Sequence, residues 1–213
     1  SPDAYTTPAL SKTKDGIQLI ITGGDYVTGH DPDTGREIWR AGGLNPQKAR
    51  NYRIVPSPVA YDGMIYAPTR KKPLLALRAG GKGDVTKSHM SWHTKRKGGR
   101  DLPSPAVVDG YLIVVSMSGK ASCYNAKTGT IHWEEKLGVK GEFASAPLVV
   151  KGHVLFQNVY GGGTLVIKPG KKLEIVSKNS LGAEVSEIFR ATLAPIKGQI
   201  FARSLSTVYC IGK

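Results

Sequence analysis

Three features of the chain predict an all-β fold. Apolar segments of four to seven residues, rich in Val, Ile, Leu and Tyr, alternate with polar residues along most of its length. Glycine accounts for 26 of 213 residues and falls between those segments, where hairpins turn. A Pro-to-Gly spacing recurs with a period of 42 to 47 residues, the length of one supersecondary unit in a repeat protein.

The spacing is read directly from the chain. Pro58 precedes Gly63, Pro105 precedes Gly110 and Pro147 precedes Gly152, each glycine five residues after its proline. A further copy keeps the distance with Leu193 in place of proline before Gly198, and the first copy, Pro8 to Gly16, carries three extra residues. Glycines 16, 63, 110, 152 and 198 are thus 47, 47, 42 and 46 residues apart.

The third copy is the type. Strand A is expected at Ser104 to Val108, B at Tyr111 to Met117, C at Ala121 to Asn125 and D at His132 to Lys136, joined by turns at Asp109-Gly110, Ser118-Gly119 and Ala126 to Gly129. The first copy reads alike: Thr6 to Leu10, Leu19 to Thr22, Tyr26 to His30, Glu37 to Arg40. In the second copy the stretch from Leu74 to Val85 is longer. Trp92 falls 29 residues after Gly63, against 23 for Trp39 after Gly16 and Trp133 after Gly110, a six-residue insertion. The fourth copy turns at Lys168-Pro169-Gly170 without a tryptophan, and the fifth stops after three strands. Four antiparallel strands in about 45 residues make one blade of a β-propeller. The expected blades are about 6–43, 53–97, 101–138, 142–180 and 186–213, the last lacking its fourth strand.

Composition narrows the function classes. A charged fraction of 22% with 40% hydrophobic residues suits a packed chain, and no apolar run reaches the roughly 18 residues of a membrane-spanning helix. The first eight residues have neither the basic nor the apolar region of a signal peptide. Cys123 and Cys210 each sit in an apolar alternating run and are expected to be buried thiols. No nucleophile motif is present, and the adjacent Glu134 and Glu135 point to opposite faces of a strand, so no catalytic residue is assigned. His89 and His93 flank Trp92 without a nearby carboxylate or thiol and are not read as metal ligands. Gly161-Gly162-Gly163 lacks the Lys-Ser/Thr partner and following helix of a phosphate loop; it is expected to leave backbone amides accessible.

Two stretches carry a family resemblance: Asp31, Thr34, Gly35 and Trp39, and Asn125, Thr128, Gly129 and Trp133, at identical spacing. They resemble the pyrroloquinoline quinone-type propeller repeat, found in quinoprotein alcohol dehydrogenases and in a non-enzymatic outer-membrane assembly propeller. The resemblance implies that Trp39, Trp92 and Trp133 pack against the next blade and that Gly35 and Gly129 permit the C-to-D hairpin. It implies a ring of seven or eight blades, of which this chain holds about five, and an exported bacterial protein, periplasmic or extracellular. A ring left open exposes strand edges, so self-association is an accompanying expectation. The dehydrogenases share a vicinal cysteine pair and a calcium-binding Asp, Glu and Asn set. Here the cysteines are 87 positions apart, and no cofactor is expected, pyrroloquinoline quinone with calcium being the alternative.

Thirty Lys and Arg against 16 Asp and Glu leave a net charge of +14. Within a blade, the B-to-C and D-to-A connections emerge on one side. Arg53, Arg70, Lys71, Lys72, Lys95, Arg96, Lys97, Arg100 and Lys140 all fall in such connections, which suggests a cationic side suited to a protein or an acidic macromolecule. The expected function is a non-catalytic scaffold that binds a macromolecule through this loop side. The alternatives are a fragment of a quinone-dependent alcohol or sugar dehydrogenase whose cofactor site lies mostly outside this chain, and a binder of anionic ligand or polysaccharide.

Overall fold

The computed structural model describes residues 3–50, 52–69, 74–94 and 102–212. The chain is all-β, built of antiparallel propeller blades, and divides into two compact units. Unit 1 comprises residues 1–105 with the turn 127–129, and unit 2 comprises 106–126 with 130–213.

Unit 1 holds two sheets. The first is the meander β1 (Ala9–Thr13), β2 (Gly16–Gly23), β3 (Tyr26–His30) and β4 (Glu37–Gly42). The second contains β5 (Val59–Tyr61), β6 (Met64–Pro68) and β7 (Leu74–Arg78); its fourth strand is β9 (Met90–Thr94), because β8 (Gly83–Asp84) and the single-turn α1 (Thr86–His89) intervene. The six-residue insertion of the second repeat supplies that detour. Instead of lengthening its own hairpin, β8 joins the first sheet, parallel to β4, with Gly83 opposite Trp39 and Asp84 opposite Arg40. The Val85 N–H donates to Arg40 O at 2.8 Å, the Gly42 N–H donates to Thr86 Oγ1 at 2.8 Å, and Val85 enters a core with Trp39, Ile20, Val27 and Leu77.

Unit 2 holds three sheets. They are β10 (Ala106–Val108), β11 (Tyr111–Val115), β12 (Lys120–Asn125) and β13 (Ile131–Lys136); β14 (Leu148–Val150), β15 (His153–Gln157), β16 (Thr164–Lys168) and β17 (Glu174–Asn179); and β18 (Ala194–Ile196), β19 (Gln199–Arg203) and β20 (Val208–Ile211). Phe143, Phe156, Trp133, Cys123 and Ile167 form the centre of its larger core.

The repeat glycines have a backbone explanation. Asp62-Gly63, Asp109-Gly110, Lys151-Gly152 and Lys197-Gly198 all have positive φ at both residues, 45° to 50° and then 71° to 83°. These are the mirror-image two-residue turns whose twist matches that of paired strands, and glycine meets the second position without a Cβ clash. A second regularity lies in the C-to-D pairs. Each complete blade shifts register once, between Gly29 and His30, Ala76 and Leu77, Cys123 and Tyr124, and Val166 and Ile167, a bulge that sharpens local twist.

Strand A departs from expectation in two copies. In the third it spans Ala106–Val108, without Ser104. The hydroxyl of Ser104 instead accepts the Ser57 N–H at 3.0 Å, as Ser57 Oγ accepts the Thr7 N–H at 2.8 Å; the Ser/Thr-Pro motif bonds from repeat to repeat. In the first copy the strand is Ala9–Thr13, because the three extra residues lengthen the β1–β2 hairpin at its tip. Cys123 is buried, whereas Cys210 is exposed: β20 is an edge strand, so alternation along it does not produce burial.

Candidate functional site

The side of unit 2 that carries the B-to-C and D-to-A connections is stitched together by main-chain bonds. The link 187–189 is held from two directions. Gly161 N–H donates to Glu187 O at 2.9 Å and Phe189 N–H to Val159 O at 2.7 Å, while Leu205 N–H donates to Ile188 O at 3.1 Å. Side chains lock the same link: the Glu187 carboxylate accepts from the hydroxyls of Ser204 and Tyr209, the latter at 2.7 Å. The Ser204 bond, followed by that from Tyr209, holds the Glu187 carboxyl below the usual glutamate range.

Two phenylalanines, four residues before Pro147 and Leu193, act as wedges. The Phe143 ring lies over Gly119, and the Phe189 ring covers Gly162, where a Cβ would stand 2.7 Å from it. The triple glycine therefore serves packing. Gly161 gives its amide to Glu187, Gly162 makes room for Phe189, and the Gly163 carbonyl accepts Asn158 N–H at 2.8 Å.

A shallow pocket of about 200 Å³ opens beside this link, with Lys140, Phe143, Asn158, Tyr160, Thr164 and Lys178 among its lining residues. Asn158 is engaged at both ends, donating to Lys140 O at 2.6 Å and accepting from Tyr160 N–H at 2.9 Å. Lys178 Nζ donates to Gly138 O at 3.3 Å. The pocket is smaller than the roughly 300–1,000 Å³ of small-molecule sites, and it suits a single side chain. Three large apolar residues face solvent on the B-to-C or D-to-A connections of unit 2: Tyr160, which also lines the pocket, at 41%, Val185 at 75% and Leu205 at 78% exposure. Exposed apolar side chains on a hydrogen-bonded backbone, with Lys140 and Lys178 beside Tyr160, make a contact surface held in place by its main chain.

Of the basic residues expected on this side, Lys140 borders the pocket. Arg53 lies in unit 1, its guanidinium 5.6 Å from the centre of the Tyr5 ring. Arg70, Lys71, Lys72, Lys95, Arg96, Lys97 and Arg100 lie outside the described residues. Sequence reading missed Tyr160, Val185 and Leu205, because it weighed charge alone. Leu205, an apolar residue between Ser204 and Ser206 in a turn, was the available signal.

The expected structural markers occupy one recurring arrangement. Each tryptophan meets the C-to-D connection of the following repeat: Trp39 pairs with Gly83, Trp92 lies against Gly129, and Trp133 Nε1 donates to Gly170 O at 3.1 Å. Trp39 also donates from Nε1 to Gln18 Oε1 at 2.8 Å and covers Gly29, where a Cβ would stand 2.2 Å from the indole. Gly35, at φ +72°, closes a turn that Asp31 holds: its Oδ1 accepts the Asp33 and Thr34 N–H groups at 3.1 and 2.8 Å and the Thr34 hydroxyl at 2.8 Å.

Three of the four D strands thus carry a tryptophan set on the next C-to-D connection; β17 has none. The profile described as outer membrane protein assembly factor BamB matches residues 23–168, more than half of the chain. The chain belongs to the BamB family. No curated protein matches it. Among solved structures, quinohemoprotein alcohol dehydrogenase from Comamonas testosteroni aligns with 100% of this chain and 41% of its own, at 15% identity and a TM-score of 0.71. The C-terminal WD40 domain of Sif2 aligns with 90% of this chain and 53% of its own, at 11% identity and a TM-score of 0.65. These two likenesses show the β-propeller fold. BamB from Moraxella catarrhalis aligns with 91% of this chain and 68% of its own, at 18% identity and a TM-score of 0.49. The chain thus spans from about two fifths to about two thirds of these structures. Among the described residues of this BamB-family chain, no helix is long and apolar enough to cross a membrane.

Proposed function

We propose that this chain is a non-catalytic propeller scaffold that binds another protein through the B-to-C and D-to-A side of unit 2. The observation that carries this reading is the exposure of Tyr160, Val185 and Leu205 on hydrogen-bonded connections of this side, with Lys140 and Lys178 lining the pocket beside Tyr160. Such a surface binds by shape, with aromatic and aliphatic side chains at its centre and cations at its rim. The family's description as an outer membrane protein assembly factor supports a protein partner in that process and an exported, bacterial, periplasmic setting.

No quinone or calcium site is assigned to the described residues of this chain. Cys123 is buried with its Sγ 3.6 Å from Gly170 O, while Cys210 lies on the exposed strand β20. Asp31 engages its own turn, and the described residues contain no group of three His, Cys, Asp or Glu side chains placed to hold a metal.

The experiment places a photo-crosslinking residue at Tyr160 or Leu205, with Ile131, an exposed residue on β13, as control. A discrete crosslinked protein from the loop positions, lost when Val185 is changed to Glu, is the expected result. Equal crosslinking from Ile131 overturns the surface. Dye-linked oxidation of an alcohol or sugar, on addition of pyrroloquinoline quinone and calcium, overturns the non-catalytic reading.

A further inference from the structure

The two places where the repeat lengths are broken meet in unit 1. The three extra residues of the first copy extend the β1–β2 hairpin and carry Lys12, Thr13, Lys14 and Asp15 at its tip. The six-residue insertion of the second copy forms the segment from Ala79 to His89, with Gly80, Gly81 and Lys82 leading into β8 and α1. The two segments form the walls of one groove of about 710 Å³, and Gly63, in an A-to-B turn of ordinary length, lies between them. In repeat proteins, insertions confined to one side of the units mark the binding side.

The groove is cationic and firmly built. Lys12, Lys14 and Lys82 are exposed, and Asp15 is the one carboxylate among the residues lining it. His89 stands behind Gly81, whose Cβ would lie 2.8 Å from its imidazole. Burial, with Arg78 nearby, holds that imidazole below the ordinary histidine range, so the charge comes from the lysines. The insertion wall is tied to β4 through Val85 and Thr86, and the Ala79 N–H donates to Gly63 O at 2.8 Å across the floor. Gly63 is exposed, with nothing within 4 Å of a Cβ position, which leaves its main chain accessible to an approaching backbone, whereas Gly80 is buried.

We propose that this groove docks an acidic peptide segment of a partner protein. Its volume and its mixture of groups favour a peptide over a lone anion. Three ammonium groups match carboxylate side chains, while the Asp15 carboxylate and the second lone pair of Gly63 O, which already accepts the Ala79 N–H, match main-chain N–H donors, which inorganic phosphate lacks; the Thr13 hydroxyl is engaged in its own turn, donating to Gly16 O at 2.9 Å and accepting the Asp15 N–H at 3.2 Å. The site lies in unit 1, on the A-to-B and C-to-D side of its blades, and stands independently of the surface assigned in unit 2.

The test is fluorescence polarisation of a labelled octapeptide of alternating glutamate and serine, titrated with the full chain. Binding is expected at low salt, with weakening as ionic strength rises and the charges are screened. The triple variant Lys12→Ala, Lys14→Ala, Lys82→Ala is expected to weaken binding at least about tenfold. A control with the same charge loss, Lys168→Ala, Lys171→Ala, Lys172→Ala, is expected to stay within about twofold. Equal losses in the two variants show attraction to net charge alone and overturn the site. So does a wild-type chain that fails to bind the octapeptide, or one from which inorganic phosphate at millimolar concentration displaces it completely. Binding to phosphatidylglycerol vesicles that depends on the same lysines, with no binding of the octapeptide, replaces the peptide by a lipid surface and overturns the proposal.

Discussion

Replacing Gly129 with Ala, beside Gly35 with Ala, separates the two tasks of a turn glycine. Both residues occupy the same place in their repeats and adopt left-handed backbone, at φ +75° and +72°. For an L-residue that conformation costs about 1–2 kcal/mol. At Gly35 nothing lies within 4 Å of a Cβ, so Gly35→Ala carries the conformational cost alone. At Gly129 the Cβ would stand 2.6 Å from Trp92 Cδ2 and 2.7 Å from Cε3, atoms of a rigid ring that itself packs 6.1 Å from Tyr66. Overpacking of this kind adds about 1–3 kcal/mol, for a total of about 2–5 kcal/mol. Thermal melts followed by circular dichroism, with urea titrations followed by tryptophan fluorescence, measure both losses; at this chain length each kcal/mol moves Tm by about 2–4 °C. Changing Trp92 to Ala in the Gly129→Ala background removes the clash and should recover the overpacking part as a coupling energy. Equal destabilisation by the two glycine variants, or a coupling near zero, refutes the idea that this turn is a seat for the neighbouring tryptophan.

Four further outcomes follow from local geometry. Lys151→Asn and Lys197→Asn place a residue that tolerates positive φ where a lysine now sits at +46° and +45°, and each should raise stability by about 0.5–1 kcal/mol in urea titrations. Trp133→Phe removes the donor to Gly170 O and should cost about 1–3 kcal/mol, whereas a loss no larger than that of an exposed substitution counts against the bond. Of the two thiols, Cys210 should react rapidly with a maleimide and Cys123 only on unfolding, since burial pushes the Cys123 thiol up to about 12; peptide mapping after brief labelling decides. Glu187 has a folded-state pKa depressed by its hydroxyl donors, so its stabilisation is complete above the usual glutamate range and is lost as pH falls through the depressed value. Glu187→Gln should flatten that acid limb of the stability profile, and an unchanged slope refutes the link.

Local chemistry made most of the architecture legible. The mirror-image turns need glycine at their second position, which is why Gly63, Gly110, Gly152 and Gly198 appear as a clock in the sequence. The tryptophans are legible for a related reason: each must meet a turn in the next repeat, and so must recur at its period. Features that depend on a partner distant in sequence were hidden. Nothing local says that Gly83 and Asp84 will pair in parallel with Trp39 and Arg40, since the decisive bonds join residues more than forty positions apart. Nothing local says that Ser104 will bond to Ser57 rather than extend β10. Alternation predicted burial of both cysteines, but alternation reports only which residues share a face. Cys123 has a covered face and Cys210, on an edge strand, does not.

The same distinction governs where binding can arise. At the regular positions, side chains are committed to the adjoining repeat: Trp92 to Gly129, Trp133 to Gly170, Phe189 to Gly162. A change there acts on folding first. The groove lysines, by contrast, stand on added segments whose attachment uses the main chain and Val85 and Thr86, with Lys12, Lys14 and Lys82 left exposed. Exposed substitutions away from caps and cores shift stability by no more than about 0.5 kcal/mol each. The triple lysine variant should therefore melt within a few degrees of the unaltered chain while losing the acidic octapeptide, and Gly129→Ala should melt well below it while, at temperatures where it remains folded, keeping the octapeptide. A triple variant that loses stability in step with binding would show that the lysines hold the hairpin and the insertion together, which would remove the reason for treating the broken repeats as a site.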